Sequence, residues 1–449
     1  MRGTIVSVLV LAITGCNLTP AYQRPQVPEP ASWPQAGLHA QTLPDRWWQS
    51  FASPPLDGLV ENALAANQDL AAAIQRIAQA RAAAVVAGAA TWPQVDAALT
   101  TTDTTRSGNS ASAAAGGIRH TGQISVAYEL DLFGRVAATR QAARERLAES
   151  RFDHEALRLL TVAEVTQAAL NLSATGKRLA LARANLANAQ GVLAVLDARL
   201  DAGRVSTLER DQQRTVVATT EASVATLAQS EAGFRNQLAL LSGAASPEFT
   251  APAVAWEALV LPAVTPTVPA TLLTRRPDLR RAEAQLQAAG ADLGAARSAL
   301  YPSLQISWDR SWTRSPAATL TTLTGSALAP LFRGGALRGE VARNEARQAE
   351  LVAQYRQAVL TSYREVSDAL DAQRQSEARS QALDRAAAAA RDAYAGARAR
   401  FEAGAADYQV LLDALRSQIQ ADDAAVGARL ERFTAAVSLY RALGGNTAL

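Results

Sequence analysis

Apolar residues recur along this chain with two different periods. Val165, Leu172, Leu179, Leu186, Leu193 and Leu200 stand at every seventh position, the seam of a left-handed coiled coil. Further on, Leu351, Val352, Tyr355, Val359, Tyr363, Val366 and Leu370 recur at three- and four-residue steps. The patterns predict helices over about 137–200 and 336–401, each roughly 95 Å long at 1.5 Å per residue. Shorter helices are predicted over about 55–91, 206–242, 270–300 and 406–443, each roughly 45–60 Å by the same rise. Two short helices laid end to end therefore match one long one, which suits a wall of alternating continuous and stacked helices.

Between helices the period shortens to two. Ile124, Val126, Tyr128 and Leu130 alternate with Gln123, Ser125 and Glu129, and Leu304, Ile306 and Trp308 alternate with Gln305, Ser307 and Asp309. Gln94 to Thr105 and Thr319 to Ala329 are their polar, Thr-rich companions, and a Gly/Ser/Ala-rich loop, Ser107 to Gly117, separates the first two strands. A transmembrane β-strand needs about 9–11 residues of such alternation. A sheet in lipid must close, because no water satisfies its edges. The smallest common membrane barrel has about eight strands. Four strands per chain thus require several copies, and three copies give about twelve.

The same order of elements occurs twice. Arg199-Leu200-Asp201-Ala202-Gly203 returns as Arg400-Phe401-Glu402-Ala403-Gly404, Trp92-Pro93 as Tyr301-Pro302, Leu132-Phe133-Gly134 as Leu331-Phe332-Arg333-Gly334-Gly335, and Leu241-Ser242-Gly243 as Leu443-Gly444-Gly445. The expected organisation is a leader over 1–15, an extended tether over 16–52 and a first repeat over 53–243. A linker over 244–268, a second repeat over 269–445 and a tail over 446–449 follow. Each repeat reads helix, two strands, long helix, helix.

Composition narrows the class. Apolar residues make up 49% of the 449, with aromatics at only 5% and one Met, and Ala supplies the largest apolar share, as in closely packed helices. The net charge of +3 is small, and Arg is interspersed with acids, which leaves no nucleic-acid patch. Lys177 is the only lysine. His39, His120 and His154 are scattered, so neither a metal site nor a catalytic triad is suggested. Thr175-Gly176-Lys177 lacks the upstream glycine of a phosphate loop, Asn171 holding that place. No enzyme activity and no cofactor are expected.

The one cysteine closes an apolar run too short to span a bilayer, Thr4 to Gly15. Leu11-Ala12-Ile13-Thr14-Gly15-Cys16 resembles a bacterial lipobox, which makes Cys16 the expected lipid-attachment residue and new N-terminus. Asn17 follows it, where an Asp would signal inner-membrane retention, so the outer membrane is expected. Acyl chains anchor without making a transmembrane helix. Pro20, Pro25, Pro28, Pro30 and Pro34 then make an extended tether, followed by the aromatic group Trp47, Trp48 and Phe51.

Several segments together carry a family resemblance. They are Cys16-Asn17-Leu18 through Tyr22-Gln23-Arg24-Pro25, Trp47-Trp48, Asn67-Gln68-Asp69-Leu70, Tyr128 to Arg135, Arg275-Arg276-Pro277-Asp278-Leu279-Arg280, Tyr301-Pro302-Ser303-Leu304 and Ala329-Pro330-Leu331-Phe332. The chain resembles the TolC-like outer-membrane efflux channels, in particular their lipoprotein branch serving RND-type pumps (the NodT-like group). The resemblance implies a mainly α fold with a membrane β-barrel: a homotrimer with a twelve-stranded barrel, a long coiled-coil α-barrel crossing the periplasm, and a closed tip. It also implies a periplasmic adaptor (membrane fusion) protein and an inner-membrane RND-type pump as partners, with outer-membrane lipid around the barrel. Type I protein secretion uses the same architecture, and a lipid-anchored coiled coil without a pore is the alternative of a different class.

The two turns that end the long helices, Asp201 to Ser206 and Glu402 to Asp407, form the expected tip. Gly203 and Gly404 suit positive-φ C-caps there. Asp201, Glu209, Asp211, Glu402, Asp407 and Asp413 are the candidate gate residues, since acidic rings in a pore select cations. Leu411-Leu412-Asp413-Ala414 resembles the family's second-repeat tip segment, which singles out Asp413. Gln409 stands where relatives often carry an aliphatic constriction residue.

Overall fold

The computed structural model describes residues 17–30, 33, 44–104, 117–264, 269–314 and 317–445. The leader, Cys16, parts of the tether and linker, and the tail over 446–449 lie outside the described residues. A 3-10 turn at Trp47–Phe51 precedes α1 (Pro54–Ala66) and α2 (Gln68–Ala89). Strands β1 (Gln94–Thr104) and β2 (Gly117–Leu130) lead into α3 (Arg135–Asp201) and α4 (Thr207–Leu241). The second repeat has α5 (Leu272–Arg275), α6 (Pro277–Ser298), β3 (Ser303–Arg314), β4 (Ala317–Leu328), α7 (Ala336–Glu402) and α8 (Tyr408–Ala442). Helices α3 and α7 each have 67 residues, about 100 Å at the α-helical rise.

Contacts divide the chain into two units. The first comprises 1–27, 75–152 and 279–358, and the second 28–74, 153–278 and 359–449. The first holds the sheet, a meander in the order β1-β2-β3-β4 with every pair antiparallel. Within it Leu286 and Ala289 of α6 pack on Leu351 and Val352 of α7. Asn17 to Val27 runs along α6: Tyr22 and Arg24 both donate to the Glu283 carboxylate, at 2.9 and 3.0–3.2 Å. A Cβ at Gly294 would collide with Thr19, so glycine there lets the strap lie against the helix.

In the second unit the aromatic residues form the core. Trp47 stacks on Tyr440 at 4.9 Å, Phe51 meets Phe433 at 6.0 Å, and Trp256 meets Phe433 edge-on at 5.7 Å. Both short-helix pairs break at an equivalent place. At Asn67 the side-chain oxygen accepts from the Asp69 and Leu70 amides, capping α2, while its Nδ2 donates to the Leu241 carbonyl at the end of α4. At Arg276 the following proline favours extended backbone, and the guanidinium donates to the Ala442 carbonyl at the end of α8. At each break one polar side chain thus holds the last turn of the repeat's final helix. The patterns predicted unbroken helices over 55–91 and 270–300; hydrophobic periodicity continues through both breaks, which is why it does not show them.

The first coiled-coil seam needs a correction. Val165 and Leu179 are buried, but Leu172, Leu186, Leu193 and Leu200 are only half-buried within the one chain, and beyond Leu179 the interior positions fall to Asn185, Ala189 and Leu196. A straight helix of 3.6 residues per turn drifts about 20° per heptad, so its buried stripe moves off the seven-residue row. In the second repeat Leu351, Tyr355, Val359, Tyr363, Val366 and Leu370 are all buried.

Candidate functional site

The sheet register sorts its residues into two faces. Side chains alternate across a strand, and directly paired residues share a face. One face carries Val95, Ala97 and Leu99 of β1 beside Ile124 and Val126 of β2. Next to these it carries Leu304, Ile306 and Trp308 of β3, then Leu323 and Ala327 of β4. The other carries Asp96, Gln123, Ser125, Glu129, Gln305, Ser307, Asp309, Ser311, Thr322, Thr324 and Ser326, with Gln123 donating to Asp309 at 3.1 Å. In the helix-joined half of the strands one face is thus apolar and the other polar, which suits a wall between lipid and water; further out the apolar face also carries Thr101, Asp103, His120, Arg310, Arg314, Thr319 and Thr321. Trp312 lies over Gly122, its register partner, where a Cβ would collide with the indole.

At the junction from sheet to helix, Asp131 caps α3 by accepting from the Val136 and Ala137 amides at 3.1 and 2.7 Å. Arg135 donates to Glu129, and this carboxylate raises its pKa. Phe133 stacks on Tyr301 at 4.8 Å, and the Ser298 hydroxyl donates to the Phe133 carbonyl. The Leu132-Phe133-Gly134 and Tyr301-Pro302 segments, one from each repeat, therefore meet as a joint.

The opposite ends of the long helices share another geometry. Gly203 and Gly404 have φ of +68° and +72°. In the first turn the Gly203 amide donates to the Leu200 carbonyl and the Arg204 amide to Arg199; in the second Gly404 donates to Phe401 and Ala405 to Arg400. Both are Schellman turns, in which a glycine takes the left-handed position and the last carbonyls find donors. Arg199 links them: its guanidinium lies 4.3 Å from the Phe401 ring centroid and donates to the Phe401 carbonyl.

Beneath the turns Leu196, Val216, Tyr394, Phe401, Tyr408, Leu411, Leu412 and Leu415 form one core. A polar chain crosses it: the Tyr408 hydroxyl donates to Gln213 Oε1 at 2.8 Å, and Gln213 Nε2 donates to the Ala189 carbonyl at 2.7 Å. Gln213 is wholly buried. Burial pushes the Tyr408 phenol up to about 12, so it stays a donor at any physiological pH.

The acidic residues differ in what they do. Asp201, Asp211, Glu402, Asp407 and Asp413 are exposed. Asp211 pairs with Arg210 at 2.9 Å and Arg214 at 3.6 Å, Glu402 pairs with Arg398 at 2.8 Å, and Asp413 accepts from the Gln409 amide at 3.1 Å. Asp407 is the N-cap of α8 without a side-chain cap bond. Glu209 differs from the others in its contacts: it is half-buried and closes a capping box with Ser206, accepting from that residue's amide and hydroxyl, a helix-start role. Leu208 and Val410, 65% and 53% exposed, are apolar residues beside the turns that the acid pattern overlooked. Their signal was an apolar side chain in the first turn after each cap. Among the described residues no group of acids, histidines or cysteines has metal-site geometry.

A two-faced membrane sheet continuing into helices of this length defines an outer-membrane channel-wall protein. The profile described as outer membrane efflux protein matches residues 59–244 and 268–445. The pyoverdine export outer membrane protein OpmQ of Pseudomonas putida is 36% identical over 454 residues, covering 97% of this chain and 96% of the relative. Outer membrane protein OprJ of Pseudomonas aeruginosa is 32% identical, covering 98% and 95%. The open-state crystal structure of the Neisseria gonorrhoeae MtrE outer membrane channel matches with a TM-score of 0.87 at 25% identity, covering 97% of this chain and all of that one (100%). The chain belongs to the outer membrane efflux protein family, and it is the outer-membrane channel component of an efflux system.

Proposed function

We propose that three copies close their sheets into one twelve-stranded barrel and conduct small molecules passively outward, with an inner-membrane RND-type pump supplying the energy and a periplasmic adaptor coupling the two. The two-faced register carries this reading. Its apolar face requires lipid, and the free edges of β1 and β4 require partners in that lipid. β1 starts and β4 ends at the same, helix-joined end of the sheet, so β4 of one copy runs antiparallel to β1 of the next. Trp92 just before β1 and Phe332 just after β4, 74% and 89% exposed, flank that seam. Cysteines at both positions are expected to give dimer and trimer bands on non-reducing gels, and each single variant only monomer. Monomer alone from the double variant would overturn this closure.

The name of OpmQ, a pyoverdine exporter, favours small-molecule cargo over secreted proteins. A coiled-coil lipoprotein without a pore would have no need of a sheet with a lipid face.

At the tip, rings of Asp413, Asp407, Asp201, Asp211 and Glu402 select cations, and Leu208 and Val410 supply the apolar part of the closure. Glu209 joins these rings while also holding the start of α4. Asp413→Asn is expected to lower the cation preference of single channels in planar bilayers severalfold, since three charges leave one ring. Unchanged reversal potentials would remove Asp413 from the conduction path.

The N-terminal strap supports lipidation at Cys16. From Arg24 to Thr19 an extended chain covers roughly 16 Å, and from Glu283 to Gly294 a helix covers roughly the same. The strap thus climbs α6 towards β3, the side of the bilayer on this reading. Cys16→Ser is expected to abolish incorporation of labelled palmitate while leaving the trimer intact. Undiminished labelling would place the lipid elsewhere.

A further inference from the structure

The outer row of β3 changes character towards its far end. From the helix-joined end it reads Leu304, Ile306, Trp308, Arg310, Trp312, Arg314, so two arginines alternate with two tryptophans on the face that carries the apolar residues. The register fixes this placement: Arg310 pairs with Ile124 and Thr321, and Trp308 with Val126 and Leu323. Trp312 lies over Gly122, and in the row it stands between Arg310 and Arg314. Both arginines are exposed. Among the described residues neither has a carboxylate partner: Asp309, next in sequence, points to the polar face and is bonded to Gln123.

The other titratable side chains on this face nearby are His120 and Asp103, with the hydroxyls of Thr101, Thr319 and Thr321 beside them. His120 of β2 bonds to Thr101 across the strand pair at 3.0 Å. Asp103 of β1 lies one row further towards the strand ends, beside Ile118, two strands away from β3.

An unpaired guanidinium facing hydrocarbon is costly and calls for an anion at the level where it sits. The far end of the sheet faces the outer leaflet. There a guanidinium takes a phosphate bidentately, and an indole offers a flat apolar face to a sugar ring. Along one strand Arg310 and Arg314 stand about 13 Å apart, so they suit two phosphates carried on a sugar framework.

We propose that Trp308, Arg310, Trp312 and Arg314 form a binding site on the outer wall of the sheet for a phosphorylated glycolipid headgroup of the outer leaflet. The site rests on the sheet being a membrane wall with its apolar face in lipid. The full-length protein, reconstituted into phosphatidylcholine nanodiscs, tests it. The discs carry a minor fraction of bis-phosphorylated lipid A, its dephosphorylated form, or phosphatidylglycerol. After re-extraction, co-purified lipid is quantified by mass spectrometry.

Wild-type protein is expected to retain bis-phosphorylated lipid A roughly fivefold or more over the other two lipids. Arg310→Gln/Arg314→Gln is expected to reduce that retention to the phosphatidylglycerol level, and Arg310→Lys/Arg314→Lys to keep part of it. Equal retention by wild type and the Gln variant would overturn the site. Displacement by millimolar inorganic phosphate would show a free-anion site and overturn the lipid assignment. Protein that fails to enter the discs would remove the membrane-wall reading together with the proposal, whereas insertion without selective retention removes the proposal alone.

Discussion

Arg276→Ala is expected to destabilise the protein by about 2–4 kcal/mol and to leave little folded protein in the membrane fraction. Arg276 is 7% exposed and holds three elements at once. It donates to Asp278 at the start of α6, pairs with Glu365 of α7 at 2.7 Å, and donates to the Ala442 carbonyl that ends α8. Asp278 and Glu365 keep 40% and 37% of their side-chain surface exposed, so water takes up part of what they lose. That places the cost below the full penalty for an uncompensated buried charge. Arg276→Lys is expected to recover only part of the stability, since one ammonium cannot reproduce a planar fork serving three partners. Arg343→Ala is the control: its ion pair with Glu340 is exposed, and such pairs contribute within about 0.5 kcal/mol. Thermal unfolding in detergent measures all three, and an Arg276→Ala midpoint equal to that of Arg343→Ala would refute the role.

Arg276 also shows what the sequence reveals and what it conceals. The Arg-Arg-Pro-Asp segment was legible as a family motif, but the apolar period runs on through it and the expected helix over about 270–300 passed across Pro277 unbroken. Nothing local shows that the second arginine reaches a carbonyl 166 residues away. The equivalence of Arg276 with Asn67 is likewise invisible, because the two share a task and no chemistry beyond an N–H donor. The strands were legible as alternation, but only the pairing turned four weak patterns into one apolar face and one polar face. Gly203 and Gly404 could be read directly, since a left-handed turn after a long helix selects glycine. Glu209 could not be sorted from Asp211 by acidity. What separates them is the serine three residues before Glu209, a capping-box signature that acidity alone does not carry. Gln213, the most deeply held residue of the tip, falls on no hydrophobic period.

Gln213 sets the second large effect. Tyr408→Phe is expected to destabilise the tip by about 1–3 kcal/mol, because it leaves the buried Gln213 oxygen without a donor. Gln213→Leu is expected to cost a similar amount by orphaning the Tyr408 hydroxyl inside the core of Leu411, Leu412 and Leu415. The double variant replaces both partners by apolar groups of comparable shape, which restores a satisfied interior and should cost clearly less than the sum of the singles. The chain from Tyr408 through Gln213 to the Ala189 carbonyl joins α8, α4 and α3, three of the four helices that carry the two turns. Weakening it lets those ends separate, so each single variant is expected to raise open probability in planar bilayers, and the double variant to bring it back towards wild type. Strict additivity of the two substitutions, in both unfolding and open probability, would mean that the hydrogen bond between Tyr408 and Gln213 does not hold the tip together.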